Sequence, residues 1–491
     1  MKLHRTILAL TCAALSACTM GPDYKRPEIQ APAQWRQAEP VTADGSALAN
    51  SAWWKLFQDP ELERLISVAL QENKELRTAA IRIEEYEARL QISRAARLPQ
   101  VAYGGNAGRN MLSEQRQVPL PANTPLTAGA FEAQWNVSWE LDVWGRIRRS
   151  NEAALAELLA AEESQRAVLM SLVAEVATTY VNMLRLDREV ELWRQLLASR
   201  ADSLRVQEAK LAGGGTSRIP VEQARSAYEE TAAAIPPLER EIASLEQALS
   251  ILIGRDPGPI RRGARLDTLA VPGIPQGLPS ELLDRRPDIR KAEQDLIAAN
   301  ARIGVAKTQY FPTISLTGLF GFASTELSNI YLRSANFGVL TGSVVGPIFT
   351  GGRIEANIKE TEAMQRRLLV AYQRVIQAAL GEVENSLVYH RKTGERLDAL
   401  ARQIQALRES AVLIRKRQLG GQVSMLEVFD AERVVLDAEL VQARTAVDTF
   451  TSVIAVYKAM GGGWIVEAEK LGSAAGAPDA MSASSSPESK H

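Results

Sequence analysis

The sequence predicts a mainly α-helical, internally duplicated protein whose few strands belong to a membrane β-barrel. Three observations predict it. Two stretches of more than sixty residues hold few or no helix breakers. The two halves of the chain repeat one another at a spacing of just over 200 residues. One stretch of thirteen residues alternates strictly between apolar and polar side chains.

In chain order, residues 1–17 read as a signal peptide. Lys2, His4 and Arg5 give a positive start, Thr6 to Ala14 form a short apolar stretch, and Leu15-Ser16-Ala17 precede Cys18. The stretch is too short to span a bilayer and has signal-peptide proportions. Leu-Ser-Ala-Cys resembles the lipobox of bacterial lipoproteins, which implies cleavage before Cys18 and acylation of its sulfur and new N-terminus. An ordinary signal peptide cut nearby is the alternative. Thr19 follows, where in enteric-type sorting an Asp retains lipoproteins in the inner membrane, so an outer-membrane destination is compatible. Cys12 is lost with the signal, so the mature chain has no thiol pair for a disulfide or thiolate metal site.

Removing Lys2 and Arg5 takes the formal charge from -1 to about -3. That argues against a nucleic-acid partner. No later segment has the roughly twenty continuous apolar residues of a membrane helix. Any membrane span must then be a β-barrel.

The duplication is anchored at three places. Arg97-Leu98-Pro99-Gln100-Val101 matches Tyr310-Phe311-Pro312-Thr313-Ile314, 213 residues on. Gly145-Arg146-Ile147 matches Gly352-Arg353-Ile354, and Gly214 and Ser217 match Gly421 and Ser424, both at 207. The first copy therefore carries six extra residues between Pro99 and Arg146, as a surface loop tolerates. Each half follows one plan: a helix of about 35 residues, two extended segments, a very long helix, a Gly-containing turn and a returning helix. Residues 61–258 form the first half and 284–464 the second, with a linker at 259–283. Arg146 to Ala212 has no Gly or Pro and predicts a helix roughly 100 Å long. Its partner, Ile354 to Leu419, is interrupted by Gly381 and Gly394. Such lengths imply coiled-coil packing; a fibrous soluble spacer is the alternative. In the first returning helix Ile235-Pro236-Pro237 predicts a kink or break. Residues 465–491 are assigned to a disordered tail, since Gly472 to His491 is rich in Ala, Ser, Gly and Pro without apolar periodicity.

The extended segments argue for a membrane. From Phe131 to Val143 the odd positions include Phe131, Trp135, Val137, Trp139 and Leu141, and the even positions are polar. One face suits lipid and the other water, as in a barrel strand, although a soluble sandwich strand would look similar. The four strands fall at about 101–112, 129–143, 313–323 and 337–349. Four strands cannot close a useful barrel, whereas three chains would supply twelve.

Ordered motifs then carry a resemblance. They are Trp53-Trp54-Lys55-Leu56-Phe57-Gln58-Asp59-Pro60, Arg285-Arg286-Pro287-Asp288-Ile289, Ala298-Ala299-Asn300-Ala301, Phe311-Pro312, Pro347-Ile348-Phe349-Thr350-Gly351-Gly352 and Met460-Gly461-Gly462-Gly463-Trp464. With the lipobox and Pro22-Asp23-Tyr24 they resemble the outer-membrane efflux lipoproteins of the OprM/NodT type in the TolC superfamily, from about Cys18 to Trp464. The resemblance implies a homotrimer with a twelve-stranded barrel, a long periplasmic α-helical barrel and an equatorial region, the last including parts of 18–60 and 259–283. It implies a periplasmic adaptor and an inner-membrane transporter of RND type as partners, contact with outer-membrane lipid, and no cofactor. An exit duct for type I protein secretion, which shares the fold, is the alternative.

No nucleophile elbow, phosphate loop or metal-ligand cluster points to an enzyme. Of three histidines only His390 lies inside the chain, in a long helix, and it reads as a surface residue. The two turns, Gly213-Gly214-Gly215-Thr216-Ser217 and Gly420-Gly421-Gln422-Val423-Ser424, form the far tips of the helical hairpins. They are the natural adaptor contact, and in the resembled family the adaptor docks there; simple chain reversal is the alternative. Just beyond the second turn Glu427 and Asp430 share a helix face. Asp430 aligns with an aspartate that narrows the periplasmic entrance of OprM-like channels. Glu427 has a plainer reading, since Ser424-x-x-Glu427 is a capping box.

Overall fold

The computed structural model describes residues 19–473 apart from 30, 31, 33, 37–50, 114, 116–120, 122–124, 275–280 and 462. The expected signal peptide, Cys18 and the expected tail from 474 onward lie outside the described residues. The elements run α1 (Pro60–Glu72), α2 (Lys74–Ala95), β1 (Gln100–Met111), β2 (Thr127–Leu141), α3 (Arg146–Ala212), α4 (Arg218–Ala233), α5 (Ile235–Leu252), α6 (Leu282–Arg285), α7 (Pro287–Thr308), β3 (Thr313–Ser324), β4 (Asn336–Val345), α8 (Arg353–Leu419), α9 (Met425–Ala459) and α10 (Trp464–Ser473). The duplication is visible in the bounds. Helices α2 and α7 both have 22 residues, and α3 and α8 both have 67. The chain divides into two compact units, and α2, α3, α7 and α8 each contribute to both.

The first unit comprises the described residues within 1–28, 82–161 and 291–372. Its strands form one antiparallel sheet in the order β1-β2-β3-β4. Side chains on a strand alternate between faces, so the register decides what shares a face. Tyr103 lies opposite Trp135, Trp135 opposite Phe320, and Val137 opposite Val101. The aromatic and aliphatic positions of neighbouring strands therefore gather on one side. At the end of β2 the chain turns directly into α3. The Asp142 carboxylate accepts from the Ile147 and Arg148 amides at 2.9 Å each, satisfying donors that a helix start leaves unpaired. Arg146 forks onto Glu140 at 2.8 and 2.7 Å.

The second unit comprises the described residues within 29–81, 162–290 and 373–491. Its core packs Trp53 edge-on to Trp54, Phe57 and Trp464 and stacked on Tyr457. A fully buried carboxylate lies beside these rings. Asp59 caps α1 by accepting from the amides of Glu61 at 2.8 Å and Leu62 at 3.2 Å. Its second oxygen accepts from the Tyr180 hydroxyl at 2.7 Å and the Ala264 amide at 3.0 Å. The Gly263 amide donates to the Tyr180 oxygen at 2.9 Å, and a Cβ on Gly263 would collide with Asp59. Burial raises the Tyr180 phenol above its usual range, so it remains a donor at neutral pH. One eighteen-residue window of α3 is apolar enough to cross a membrane, but 61% of it is buried. The same helix supplies Leu169, Val173, Ala177, Tyr180 and Val181 to this core.

The Arg285-to-Ile289 and Met460-to-Trp464 motifs meet in this unit. The buried Arg286 donates to the Ala459 carbonyl in the last turn of α9 at 2.9 Å, and pairs with Asp288 and Glu382 at 2.8 Å each. Gly461 turns away with φ +58°, and a Cβ there would press on the Arg286 side chain. A cation at a helix C-terminus satisfies carbonyls that have no partner within the helix.

Three expectations are corrected, and the expected break in the first returning helix is present. Gly381 and Gly394 do not interrupt α8, which is continuous; a helical glycine costs about 1 kcal/mol, too little to break a packed helix of that length. The first returning helix does break at Ala234, where α5 restarts with prolines in its first turn, while α9 is unbroken for 35 residues. The expected tail at 465–491 begins too early. Residues 465–473 are helical within α10, because Trp464, Ile465 and Ala468 bury an apolar face in the core. Strand β4 stops at Val345 rather than 349, since Gly346-Pro347 follow and proline cannot donate to a ladder.

The Asp59 cluster gives a stability order. Tyr180→Phe leaves a buried carboxylate oxygen and an amide each short of a partner, at a cost of about 1–3 kcal/mol. Asp59→Ala leaves four donors without their acceptor and should cost more. Thermal unfolding of the detergent-solubilised protein should rank wild type above Tyr180→Phe above Asp59→Ala; indistinguishable midpoints would contradict the cluster's role.

Candidate functional site

Three features form the candidate site, and each is local to one unit. The first is the strand face. Trp135 and Tyr103 keep 50% and 90% of their surface exposed, and Val101, Phe320, Leu340 and Val344 are exposed as well. The register places all of them on the face that carries Phe131, Val137, Trp139 and Leu141. The other face carries Glu132, Gln134, Asn136, Ser138, Ser315 and Thr317, with Leu319, Phe337, Val339 and Val345 as apolar exceptions. Two indoles sit near the strand ends. Trp139 donates to the Arg97 carbonyl at 2.9 Å. Trp144 donates to the Pro312 carbonyl at 2.8 Å and stacks on Phe311 at 4.7 Å. An apolar ring with one polar handle suits a membrane–water boundary.

The second feature is the pair of turns, which close with the same hydrogen bonds. The Gly215 amide donates to the Lys210 carbonyl at 2.8 Å and the Gly214 amide to Leu211 at 3.0 Å. Their counterparts are Gln422 to Arg417 at 3.0 Å and Gly421 to Gln418 at 2.9 Å. Gly214 and Gly421 hold φ +71° and +73°, as a left-handed helix C-cap requires. A Cβ at either would meet nothing within 4 Å, so backbone conformation and not space demands glycine. Gly213 and Gly420 precede these positions, and Thr216 and Val423 lead into extended Ser217 and Ser424.

The third feature is the acidic start of α9. Ser424 and Glu427 form a reciprocal capping box: the Ser424 amide donates to Glu427 at 3.0 Å, and the Glu427 amide to the Ser424 hydroxyl at 3.4 Å. This assigns the Glu427 carboxylate to the helix start. Ser217 makes no such bond, because Pro220 stands at the position corresponding to Glu427. Asp430, one turn along, is exposed and pairs with Arg433 at 2.7 Å. Arg433 also reaches Asp437 at 3.1 Å, and its hydrogen bond to Asp430 raises its already high pKa.

Sequence reasoning missed Arg433, although its i+3 spacing from Asp430 was a readable signal. It also missed Arg200, which has no local signal. Arg200 is buried, with its guanidinium 4.2 Å from the Phe429 ring centre. It donates to the Phe429 carbonyl at 2.9 Å and pairs with Glu432 at 2.9 Å, and Arg415 joins Glu432 at 2.7 Å. Both neighbourhoods of Asp430 on α9 are thus fixed from α3 and α8. His390 is half-buried, with Nδ1 2.9 Å from the Ser452 hydroxyl, and burial lowers its pKa.

Comparison with known proteins fits this geometry. The Outer membrane efflux protein family matches residues 65–255 and 278–462. The solvent efflux pump outer membrane protein SrpC of Pseudomonas putida is 33% identical over 462 residues, covering 92% of this chain and 97% of that protein. The cation efflux system protein CusC of Escherichia coli is 32% identical over 455 residues, with the same coverage. Among solved structures, CusC superposes with a TM-score of 0.80 at 31% identity, covering 91% of this chain and 100% of that one. The open state of the MtrE outer membrane channel of Neisseria gonorrhoeae gives 0.81 at 31% identity, covering 91% and 99%. The chain belongs to the outer membrane efflux protein family, as a TolC-like channel of the outer membrane that serves an efflux pump.

Proposed function

We propose that three copies of this chain close a twelve-stranded barrel and act as the passive exit duct of a tripartite pump for drugs or other small solutes. The open sheet carries the reading. Among the described residues, strands β1 and β4 each leave one edge without a partner in the protomer, and one face of the sheet exposes aromatic and aliphatic side chains that suit lipid. Unpaired strand edges are not tolerated in hydrocarbon, and closure with further copies removes them. Relatives named for the efflux of solvents, toluene, cations and antibiotics support small solutes as cargo.

Under the same reading Cys18 carries the lipid anchor. The turns at Gly213–Ser217 and Gly420–Ser424 meet a periplasmic adaptor, and the adaptor links the duct to an inner-membrane transporter of RND type. Asp430, repeated by three-fold symmetry, rings the periplasmic entrance. Arg433 on the same helix offsets part of that charge, and the capping box leaves Glu427 a smaller share in it. The duct itself has no reaction to catalyse.

Three measurements test the reading. A charge near the bilayer middle of a barrel's lipid face costs about 2–4 kcal/mol and far less in the lumen. Trp135→Arg should therefore lower assembled protein in the outer membrane, and Asn136→Arg should not; equal effects would refute the facing. At Gly421 a β-branched side chain strains the left-handed backbone. Gly421→Val should abolish efflux while assembled protein persists, and full efflux with intact adaptor crosslinking would count against tip docking. In reconstituted channels Asp430→Ala should reduce cation selectivity and change conductance, while Arg433→Ala should increase that selectivity. Unchanged values in Asp430→Ala would remove Asp430 from the constriction.

A further inference from the structure

The residues that follow Cys18 are held by groups that the duct reading does not use. Residues 19–26 cross the first turns of α3 and the flank of α7. The Met20 amide donates to the Trp144 carbonyl at 3.1 Å. Arg149, buried on α3, donates to the Met20 carbonyl at 3.2 Å and the Gly21 carbonyl at 3.4 Å, and pairs with Asp23 at 2.6 Å and Glu152 at 2.7 Å. Asn300, buried on α7, donates to the Pro22 carbonyl at 2.8 Å. Beyond these, Glu293 accepts from Tyr24 and pairs with Arg26, each at 3.1 Å. The crossing needs bare backbone. Gly21 has φ +94° and lies so close to Gly304 that a Cβ would collide, and a Cβ on Gly304 would meet the Met20 carbonyl at 2.7 Å and Arg149 Cγ at 2.8 Å.

The duplication supplies an internal control. Helix α2 corresponds to α7 and α8 to α3, but among the described residues no such strap leads into the second half. There Arg149 is replaced by Ala356, Asn300 by Glu87 and Gly304 by Gln91. Gly145, whose added Cβ would strike Thr19, is matched by Gly352, around which nothing lies within 4 Å. The buried cation, the buried amide and the missing side chain therefore occur together only where the strap passes. A buried guanidinium or amide is costly unless its donors find acceptors, and the strap's carbonyls provide them.

We infer that Arg149, Asn300 and Gly304 form a seat for residues Thr19 to Asp23, and that this seat mounts the lipid-bearing end of the chain at a fixed place beside the β2–α3 junction. The seat is an interaction surface for one segment of the same chain. It makes the lipid a rigid part of the assembling channel instead of a loose tether. The second half of this inference rests on the reading of Cys18 as lipidated.

Trypsin tests the seat on the full-length protein in isolated outer membranes. Cleavage needs a locally unfolded segment, and the bond between Lys25 and Arg26 reports on the strap. Cleavage there should be slow in wild type and at least ten-fold faster in Arg149→Gln and in Gly304→Ala. Ala356→Gln and Gln91→Ala, at the corresponding positions of the other half, should leave the rate unchanged. Equal rates in wild type and both seat variants would overturn the inference, and two independent variants guard against misfolding of one. The coupling is read from the amount of assembled protein. Cys18→Ser and Arg149→Gln should each lower it, and the double variant should be no lower than Cys18→Ser alone; additive losses would overturn the coupling. Fatty-acid labelling separates the two readings. Wild type that takes up no label while the trypsin contrast holds keeps the seat and rejects the lipid anchor.

Discussion

Backbone hydrogen bonding in hydrocarbon is the constraint on which the rest depends. Among the described residues the sheet has four strands, two unpaired edges and a face of exposed aromatic and aliphatic side chains. In water such a face would aggregate, and in lipid such edges would leave peptide groups unpaired at several kcal/mol each. Neither solvent suits the lone protomer, and the proposed closure removes both penalties together. The proposed three-fold then determines the rest. Any group near the axis becomes a ring of three, and any helix becomes a stave. One carboxylate per chain is enough for an entrance of strong local field, although the chain as a whole is almost neutral.

The duplication lets two halves share one geometry while doing different jobs, and their differences mark those jobs. Both turns use the same pair of amide-to-carbonyl bonds and the same left-handed glycine. After the turns they diverge. One helix begins with a capping box and stays continuous for 35 residues; the other begins at an uncapped serine and breaks before a pair of prolines. The stiffer returning helix is the one that carries Asp430. A device that must place a charge reproducibly benefits from a capped, unbroken support, whereas a helix used for packing can tolerate a break.

Legibility followed the range of the interaction that decides each feature. The alternation at Phe131 to Val143 is local and periodic, and the strand it predicts pairs in a register that keeps its apolar face together. The turn glycines were equally legible, because a left-handed backbone is a property of single residues. Contacts between distant residues were not. Tyr180 reaches Asp59 across 121 positions, and Arg200 reaches Phe429 across 229. Nothing near either residue reveals its partner. The short α10 was lost for a related reason. Its apolar residues were too few for a periodic signal, and its order comes from the core that receives Trp464. Gly381 and Gly394 show the opposite error, a weak local preference overridden by the length and packing of the helix around them.

The surroundings of Asp430 combine both ranges. Its carboxylate and Arg433 are exposed, and an exposed pair is worth little in water, so at the proposed entrance each group would be free to respond to a passing ion. Its helix, by contrast, is held rigidly. Arg200 sits over the Phe429 ring and binds that residue's carbonyl and Glu432, while Arg415 holds the other oxygen of Glu432. Cation–aromatic and charge-assisted contacts gain strength when desolvated, as they are at Arg200. Under the proposed entrance, the buried cation positions the support and the exposed carboxylate supplies the field. Separating the two tasks lets the local field be strong without a costly buried anion, and lets the support hold its place whatever ion is passing.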